Sequence, residues 1–264
     1  MHPVGYLLDD EGHHIKHHTI IGSGRGVVVV RRDDVAVKMA IVHASDSFKD
    51  VEANRRKIRA EQAVWRRVQP NFTKPVQGIV HCLDLPGDTI ELKYMSGGTL
   101  GQWLSHREPP RLPLQKKWIR QLAIGLHNLH QRRVIHCDIL PRNLLLDDAQ
   151  DIMIMDLGAS TAMPLSTVMV DAVDRYNCSM WTDLCQLGLV IYQIVTGRPH
   201  GVRIYHSRSN GDSVATFPSR QMLPAVGKDV WAREIIETCW KKRGYGAAGA
   251  AGIVATLDRM KICS

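Results

Sequence analysis

The hydrophobic pattern of this chain changes period near residue 96, and that change constrains its architecture more than any other feature. Before it, short β-branched runs alternate with turn residues. T-I-I leads into the glycine-rich turn G-S-G-R-G (Gly22 to Gly26), and V-V-V-V follows at 27–30. R-R-D-D then turns the chain into V-A-V-K-M at 35–39. Two more strands are expected at 79–83 and 89–94, with P-G-D turning between them. One helix interrupts this part, at about 50–68, with Ile58, Ala60, Val64, Trp65 and Val68 on its inner face and Pro70 ending it. After Met95-Ser96-Gly97-Gly98, apolar residues at 118, 119, 122, 126 and 129 repeat at helical spacing across 115–132. Further helices are expected at 183–196 and 230–241, and a hairpin joins 143–146 to 152–155. A strand-rich first third and a helical remainder describe an α+β chain of two lobes. The first is a small antiparallel sheet with one main helix, about 19–95, after an N-terminal extension at 1–18. The second, about 96–264, is larger and mainly helical, and a hinge falls near 93–98.

Composition removes several classes of function. The 264 residues, 44% of them apolar, suffice for a large or two-part core. No run reaches the roughly 18 apolar residues of a membrane span. Residues 1–6 lack a basic segment followed by an apolar one, so neither a signal peptide nor a membrane partner is expected. Cys82, Cys137, Cys178, Cys185, Cys239 and Cys263 are scattered, with no C-x-x-C pair and no Cys/His group at zinc spacing. Reduced thiols and an intracellular location, cytoplasmic or nuclear, are therefore expected. His13, His14, His17 and His18 read as a solvated turn. The formal charge of +8 is dispersed and has no interleaved aromatic residues, which argues against a nucleic-acid partner. Nothing in the pattern reports the oligomeric state.

The second lobe carries the most specific chemistry. H-C-D-I-L-P-R-N runs from His136 to Asn143, and D-L-G begins at Asp156 beyond the apolar hairpin. Phosphoryl transfer from a nucleotide needs these groups. One carboxylate orients or deprotonates an acceptor hydroxyl, while an amide oxygen and a second carboxylate hold magnesium against the phosphates. The glycine-rich turn, V-A-V-K, E-Q-A-V-W-R-R-V, E-L-K-Y-M-S-G-G and T-D-L-C-Q-L-G-L-V-I-Y-Q-I-V-T-G-R-P are each weak signals alone. Together, in this order and across about 19–260, they resemble the eukaryotic protein kinase family, in particular the short, divergent kinase domains of filamentous fungi.

The resemblance implies a bilobal, protein-kinase-like fold, ATP and Mg2+ as nucleotide and metal, and a protein substrate. It places Gly22 and Gly24 in the phosphate-covering loop, with Gly26 one residue ahead of the usual third position, which Val27 occupies. Val29, Ala36, Leu92 as gatekeeper, the backbone of Lys93, Tyr94 and Met95, and Leu145 fall at the adenine site. Lys38 falls on the α- and β-phosphates. Its partner is expected to be Glu61 rather than Glu52, because helix register sets Glu61 beside the apolar face. Asp138 matches the catalytic base, and Asn143 and Asp156 match the metal ligands. His136 packs the loop. Asp183 would accept hydrogen bonds from the loop backbone, since a buried carboxylate without donors is costly.

Several positions depart from the family pattern. Cys137 replaces the arginine that in many members reads a phosphate on the activation segment. A thiol cannot clamp a phosphate, which implies little dependence on phosphorylation there. The segment from Asp156 to Asp171 is short for the family. Met169-Val170-Asp171 stands where A-P-E belongs, and Ala247 where the arginine partner belongs, so a core ion pair of the second lobe is expected to be missing. Ser160, Thr161, Ser166 and Thr167 are open to two readings, phosphorylation sites and ordinary loop hydroxyls, of which the second is favoured. Leu140 replaces the lysine of serine/threonine kinases, and Arg142 stands where tyrosine kinases carry an arginine. Arg142 is open to two readings, a phosphate or acceptor clamp and a surface salt bridge. The retained Lys38, Asp138, Asn143 and Asp156 imply an active kinase, serine/threonine-specific by family prior. Leu140, the irregular loop and the missing pair leave a pseudokinase scaffold as the alternative. A small-molecule phosphotransferase shares the H-x-D-x-x-x-x-N loop, but D-L-G and the Asp183 helix point away from it.

Overall fold

The computed structural model describes residues 7–8, 13–24, 26–43, 46–106, 108–207 and 213–262. Arg25 and Cys263 lie outside them. The chain divides into two compact units: residues up to Val76 with Val80–Tyr94, and Gln77–Ile79 with the residues from Met95 onward.

The first unit contains β1 (Leu7–Leu8), β2 (Ile20–Gly24), β3 (Val27–Arg32), β4 (Val35–Ala40), β5 (Val42–His43), α1 (Phe48–Val68), β6 (Cys82–Asp84) and β7 (Thr89–Lys93). A five-stranded antiparallel sheet runs in the order β2-β3-β4-β7-β6. Alternation along β3 and β4 sends Val28, Val30, Val37 and Met39 into a buried cluster, against which Leu7, Ile15, Ile20, Val35 and Ile41 pack. β1 pairs with β5 in a separate two-stranded sheet, and Leu7 of β1 packs against the valine cluster. α1 begins at an N-cap, Ser47, whose side chain accepts the Asp50 N–H. Its buried face carries Ile58, Val64, Trp65 and Val68, but also Glu61 and Gln62. Ala60, expected inside, is exposed. Gln62 turns inward because its amide donates to Gly87 O and Thr89 O, at 2.9 and 2.7 Å. The strand expected at 79–83 begins only at Cys82, and Ile79 instead bridges Ile154 within the second unit.

The second unit contains β8 (Gly98–Thr99), α2 (Leu100–His106), α3 (Leu112–Gln131), β9 (Val134–Ile135), β10 (Leu144–Leu146), β11 (Ile152–Ile154), β12 (Thr161–Ala162), α4 (Met180–Thr196), β13 (Tyr205–Ser207), β14 (Ser213–Ala215), α5 (Arg233–Cys239) and α6 (Ala251–Ile262). The expected 3.6-residue stripe of α3 is buried at Trp118, Ile119, Leu122, Leu126 and Leu129. α4 is buried on every side, as an all-round apolar helix must be. A capping box of Ser179 and Thr182 starts it, and Gly197 in the left-handed region ends it. α5 is shorter than the helix expected at 230–241, and α6 begins inside the glycine-alanine tract at 244–252. Among the described residues, no helix is long and apolar enough to cross a membrane.

Candidate active site

In the first unit, the sheet face opposite the valine cluster gathers the residues expected around a nucleotide. Directly paired residues share a face. Val29 lies opposite Lys38, Gly22 opposite Val29, and Ala36 opposite Leu92. The loop between β2 and β3 ends at Gly26, whose φ of +81° lies in the left-handed region. Gly26 makes contacts of its own within the first unit. Its carbonyl accepts the Ile41 N–H, and its Cα approaches Asn54 of α1.

Lys38 Nζ lies 2.6 Å from Glu61 Oε2, and the two residues are 6% and 3% exposed. Trp65 Nε1 donates to Glu61 Oε1 at 3.4 Å. Glu52, the other candidate, pairs with Arg59 at the surface. At 93–95, where the backbone is expected to serve adenine, two N–H groups are used within the first unit. Lys93 N donates to His81 O at 2.9 Å, and Tyr94 N to Asp34 O at 2.8 Å. The Arg31 guanidinium stacks over the Tyr94 ring at 4.0 Å. Met95 is buried.

In the second unit, α4 holds the loop between β9 and β10. Asp183, fully buried, accepts from His136 N and Cys137 N, each at 2.8 Å, and lies 2.9 Å from His130 Nε2. One turn on, Gln186 Oε1 accepts Ile139 N at 3.2 Å. His136 Nδ1 accepts Asp138 N at 3.1 Å, which leaves Nε2 as the donor to Met155 O at 3.0 Å. These contacts aim Asp138. Its Oδ2 takes Asn143 Nδ2 at 2.8 Å and Arg142 at 2.7 Å. Asn143 Nδ2 also donates to Asp138 O at 2.9 Å, so the amide oxygen is the end Asn143 offers a cation. Arg142 is thus bound to the carboxylate of the expected base rather than to an unrelated surface acid, and its own side chain is largely exposed. Leu140 is half-buried, and its carbonyl accepts Asn143 N. Leu145 is half-buried between buried Leu144 and Leu146.

Asp156 sits at φ +63°, its Oδ1 accepting Gly158 N at 3.3 Å, with Leu157 buried beside it. Cys137, at φ +70°, is also a non-glycine residue in the left-handed conformation. Such strain persists only where surroundings enforce it. The carboxylate of Asp156 and the amide oxygen of Asn143 are hard donors suited to Mg2+.

The segment after Asp156 is pinned by its own hydrogen bonds. β12 pairs with β9, Ser160 Oγ donates to His136 O at 3.1 Å, and Thr161 Oγ1 donates to Asp174 Oδ2 at 2.8 Å. Asp171, where a core ion pair was expected to be missing, makes a surface pair instead. Asp171 pairs with Arg243 at 2.6 Å, but both side chains are more than half exposed, so the pair lies at the surface and not in a core. Ala247 left the position without a cation in sequence, and the turn before α6 supplies one from Arg243. Cys137 is buried at 3% exposure. The Cys178 thiol, burial and the Asp183 and Asp174 carboxylates hold its thiol well above the ordinary range. No motif marks His130 or Tyr205, and the motif that contains Gln186 does not show that its side chain meets the loop.

A model of the family described as "Protein kinase domain" matches residues 15–203. The chain is 27% identical over 193 residues to the dual specificity protein kinase pyk3 of Dictyostelium discoideum, covering 68% of this chain and 14% of that protein. It is 26% identical over 258 residues to the serine/threonine/tyrosine-protein kinase HT1 of Arabidopsis thaliana, covering 89% and 62%. With the serine/threonine-protein kinase mos of Xenopus laevis it shares 32% over 143 residues, covering 53% and 40%. The chain therefore spans less than two thirds of the length of these relatives. Residues 15–203 include both the sheet that carries Lys38 and the loop that carries Asp138, and the chain belongs to the eukaryotic protein kinase family.

Proposed function

We propose that the chain is an active protein kinase that transfers the γ-phosphate of ATP to a protein hydroxyl, with serine or threonine preferred to tyrosine. The buried Lys38–Glu61 pair carries this reading. Two charges withdrawn from water are costly, and apolar replacements often serve stability as well. A pair kept in that place suits a lysine positioned for the phosphates, a use that a bare scaffold lacks.

Each residue then has a role. Lys38, oriented by Glu61, would neutralise the α- and β-phosphates. Gly22 and Gly24 would let the loop backbone approach them. Val29, Ala36, Leu92 and Leu145 would contact adenine, with a backbone group of Met95. Asn143 and Asp156 would hold Mg2+, which when bound offsets phosphate charge. Asp138 would accept the acceptor hydroxyl's proton, its carboxylate fixed by Asn143 and Arg142. Arg142 would also bring positive charge beside the acceptor, in place of the lysine that Leu140 replaces. Cys137, turned toward Asp174, offers no phosphate clamp, and Ser160 and Thr161 are engaged in the hydrogen bonds above. These contacts support activity without phosphorylation of the segment. The substrate would be an intracellular protein, with no role for nucleic acid or membrane.

The test is phosphotransfer by the purified chain with Mg·ATP and generic protein substrates. Wild type is expected to label protein, and Asp138→Asn to lose activity about 10²–10⁴-fold while still binding nucleotide. Wild type that binds Mg·ATP but labels nothing would establish the scaffold reading instead. Labelling confined to small-molecule hydroxyls would overturn the protein substrate.

A further inference from the structure

Cys137 has neighbours that its place in the chain does not suggest. Its Sγ lies 4.0 Å from Asp174 Oδ2. The Sγ atoms of Cys137 and Cys178 and a carboxylate oxygen of Asp174 all lie within 4.8 Å of one another. Among the described residues, this is the one group of three His, Cys, Asp or Glu side chains so arranged. The thiols are buried, at 3% and 1% exposure, and Asp174 is half-buried. We propose that Cys137, Asp174 and Cys178 form a binding site for a zinc-class divalent ion, which ties the segment after Asp156 to the catalytic loop.

The donor set selects the ion. Two thiolates and a carboxylate suit a borderline-soft metal, whereas Mg2+ and Ca2+ take oxygen ligands alone. Sulfur at about 2.3 Å and oxygen at about 2.1 Å from a tetrahedral ion place the ligand atoms roughly 3.5–4 Å apart. The separations here need a contraction of an ångström or less. Binding is not a redox step: each thiol gives its proton to solvent, and the ion takes the two sulfur lone pairs and one carboxylate oxygen.

The surroundings resemble the outer support that metal ligands require. Asp174 Oδ1 accepts Tyr176 N and Cys178 N, at 2.8 and 2.7 Å, while Oδ2 accepts Thr161 Oγ1 at 2.8 Å. The carboxylate is therefore held in place before any ion arrives. The Tyr205 hydroxyl lies 3.3 Å from Cys178 Sγ and also meets Cys137 O. It or a water fills the fourth position.

The site's position gives it a consequence. Cys137 directly precedes Asp138, and Cys178 lies just before α4. An ion here would tie the catalytic loop to the stretch between Asp171 and α4. The site itself rests on the geometry of the second unit and not on the kinase reading, so it can hold even if the chain transfers no phosphate.

Co2+ is the probe. The full chain, stripped with chelator and kept in a non-thiol reductant, is titrated with Co2+ and then with Zn2+. One equivalent of Co2+ should give a thiolate-to-cobalt charge-transfer absorption that Zn2+ bleaches. Cys137→Ser and Cys178→Ser should each weaken binding by at least about tenfold, and Asp174→Asn should weaken it with both thiols retained. Replacing His13, His14, His17 and His18 together by alanine should leave the band unchanged. If the cysteine variants do not fold, the wild-type band and its loss in Asp174→Asn decide the matter. A wild-type chain without a thiolate–cobalt band overturns the site, as does a band that survives all three substitutions.

Discussion

An added Cβ at Gly26 would lie 2.0 Å from Asn54 Oδ1 and 2.8 Å from Lys57 Nζ, at a backbone φ of +81°. Gly26→Ala is therefore expected to destabilise the protein by about 1–3 kcal/mol, read from denaturant unfolding. At Gly22 and Gly24 the nearest side-chain atoms to an added Cβ are 3.7 and 3.4 Å away. Alanine there should leave stability nearly unchanged and weaken nucleotide binding instead. Equal loss of stability at all three positions would refute this division of labour. The sequence spacing showed that Gly26 was out of register but not what it does, because its steric constraint comes from α1. Arg142 teaches the same lesson. Its offset from Asp138 left two readings open, and the structure shows a 2.7 Å salt bridge with the carboxylate of the expected base.

Among the elements, α4 controls the catalytic loop. Asp183→Asn would face His136 N, Cys137 N and His130 with an amide that has one acceptor end. At least one buried donor would lose its partner, and a loss of about 2–4 kcal/mol is expected in urea or thermal unfolding. A variant as stable as wild type would show that the loop holds its shape without α4. The sequence made the Asp183–loop contact an expectation, since a carboxylate in an apolar helix requires donors. It did not reveal His130, which reaches Asp183 across 53 residues because α3 packs beside α4. In the first unit, Arg59 of α1 grips Asp88 before β7 through two hydrogen bonds, at 2.7 and 2.9 Å. The guanidinium holds the Asp88 carboxyl below its ordinary value of 3.8. A depressed carboxyl contributes its stability above that ordinary value and loses it as pH falls through the lower folded value. Asp88→Asn should thus melt slightly below wild type at pH 7, the gap closing as pH falls below about 3.8. The gap should be small because Arg59 is half-exposed. A gap independent of pH would assign the effect to packing.

For the whole molecule, the decisive measurement is apparent stability with nucleotide. A ligand that binds only the native state raises stability by about 2.7 kcal/mol at a hundred times its dissociation constant. Mg·ATP is therefore expected to raise the melting temperature of wild type, and Lys38→Met and Asp156→Asn to remove most of the rise. No rise in wild type would favour a scaffold that binds no nucleotide. The sequence by itself determined the class of the two units, the strands around the glycine loop, the α3 stripe and the order of the kinase motifs. Those signals come from residue period, turn chemistry and short spacings, which neighbours along the chain set. The Lys38–Glu61 pair was also expected from helix register, and only the tertiary structure decided which other distant side chains meet: His130 with Asp183, Asp171 with Arg243, and Cys137 with Asp174 and Cys178. The folding of the second unit brings those partners together, and the local pattern carries no record of it.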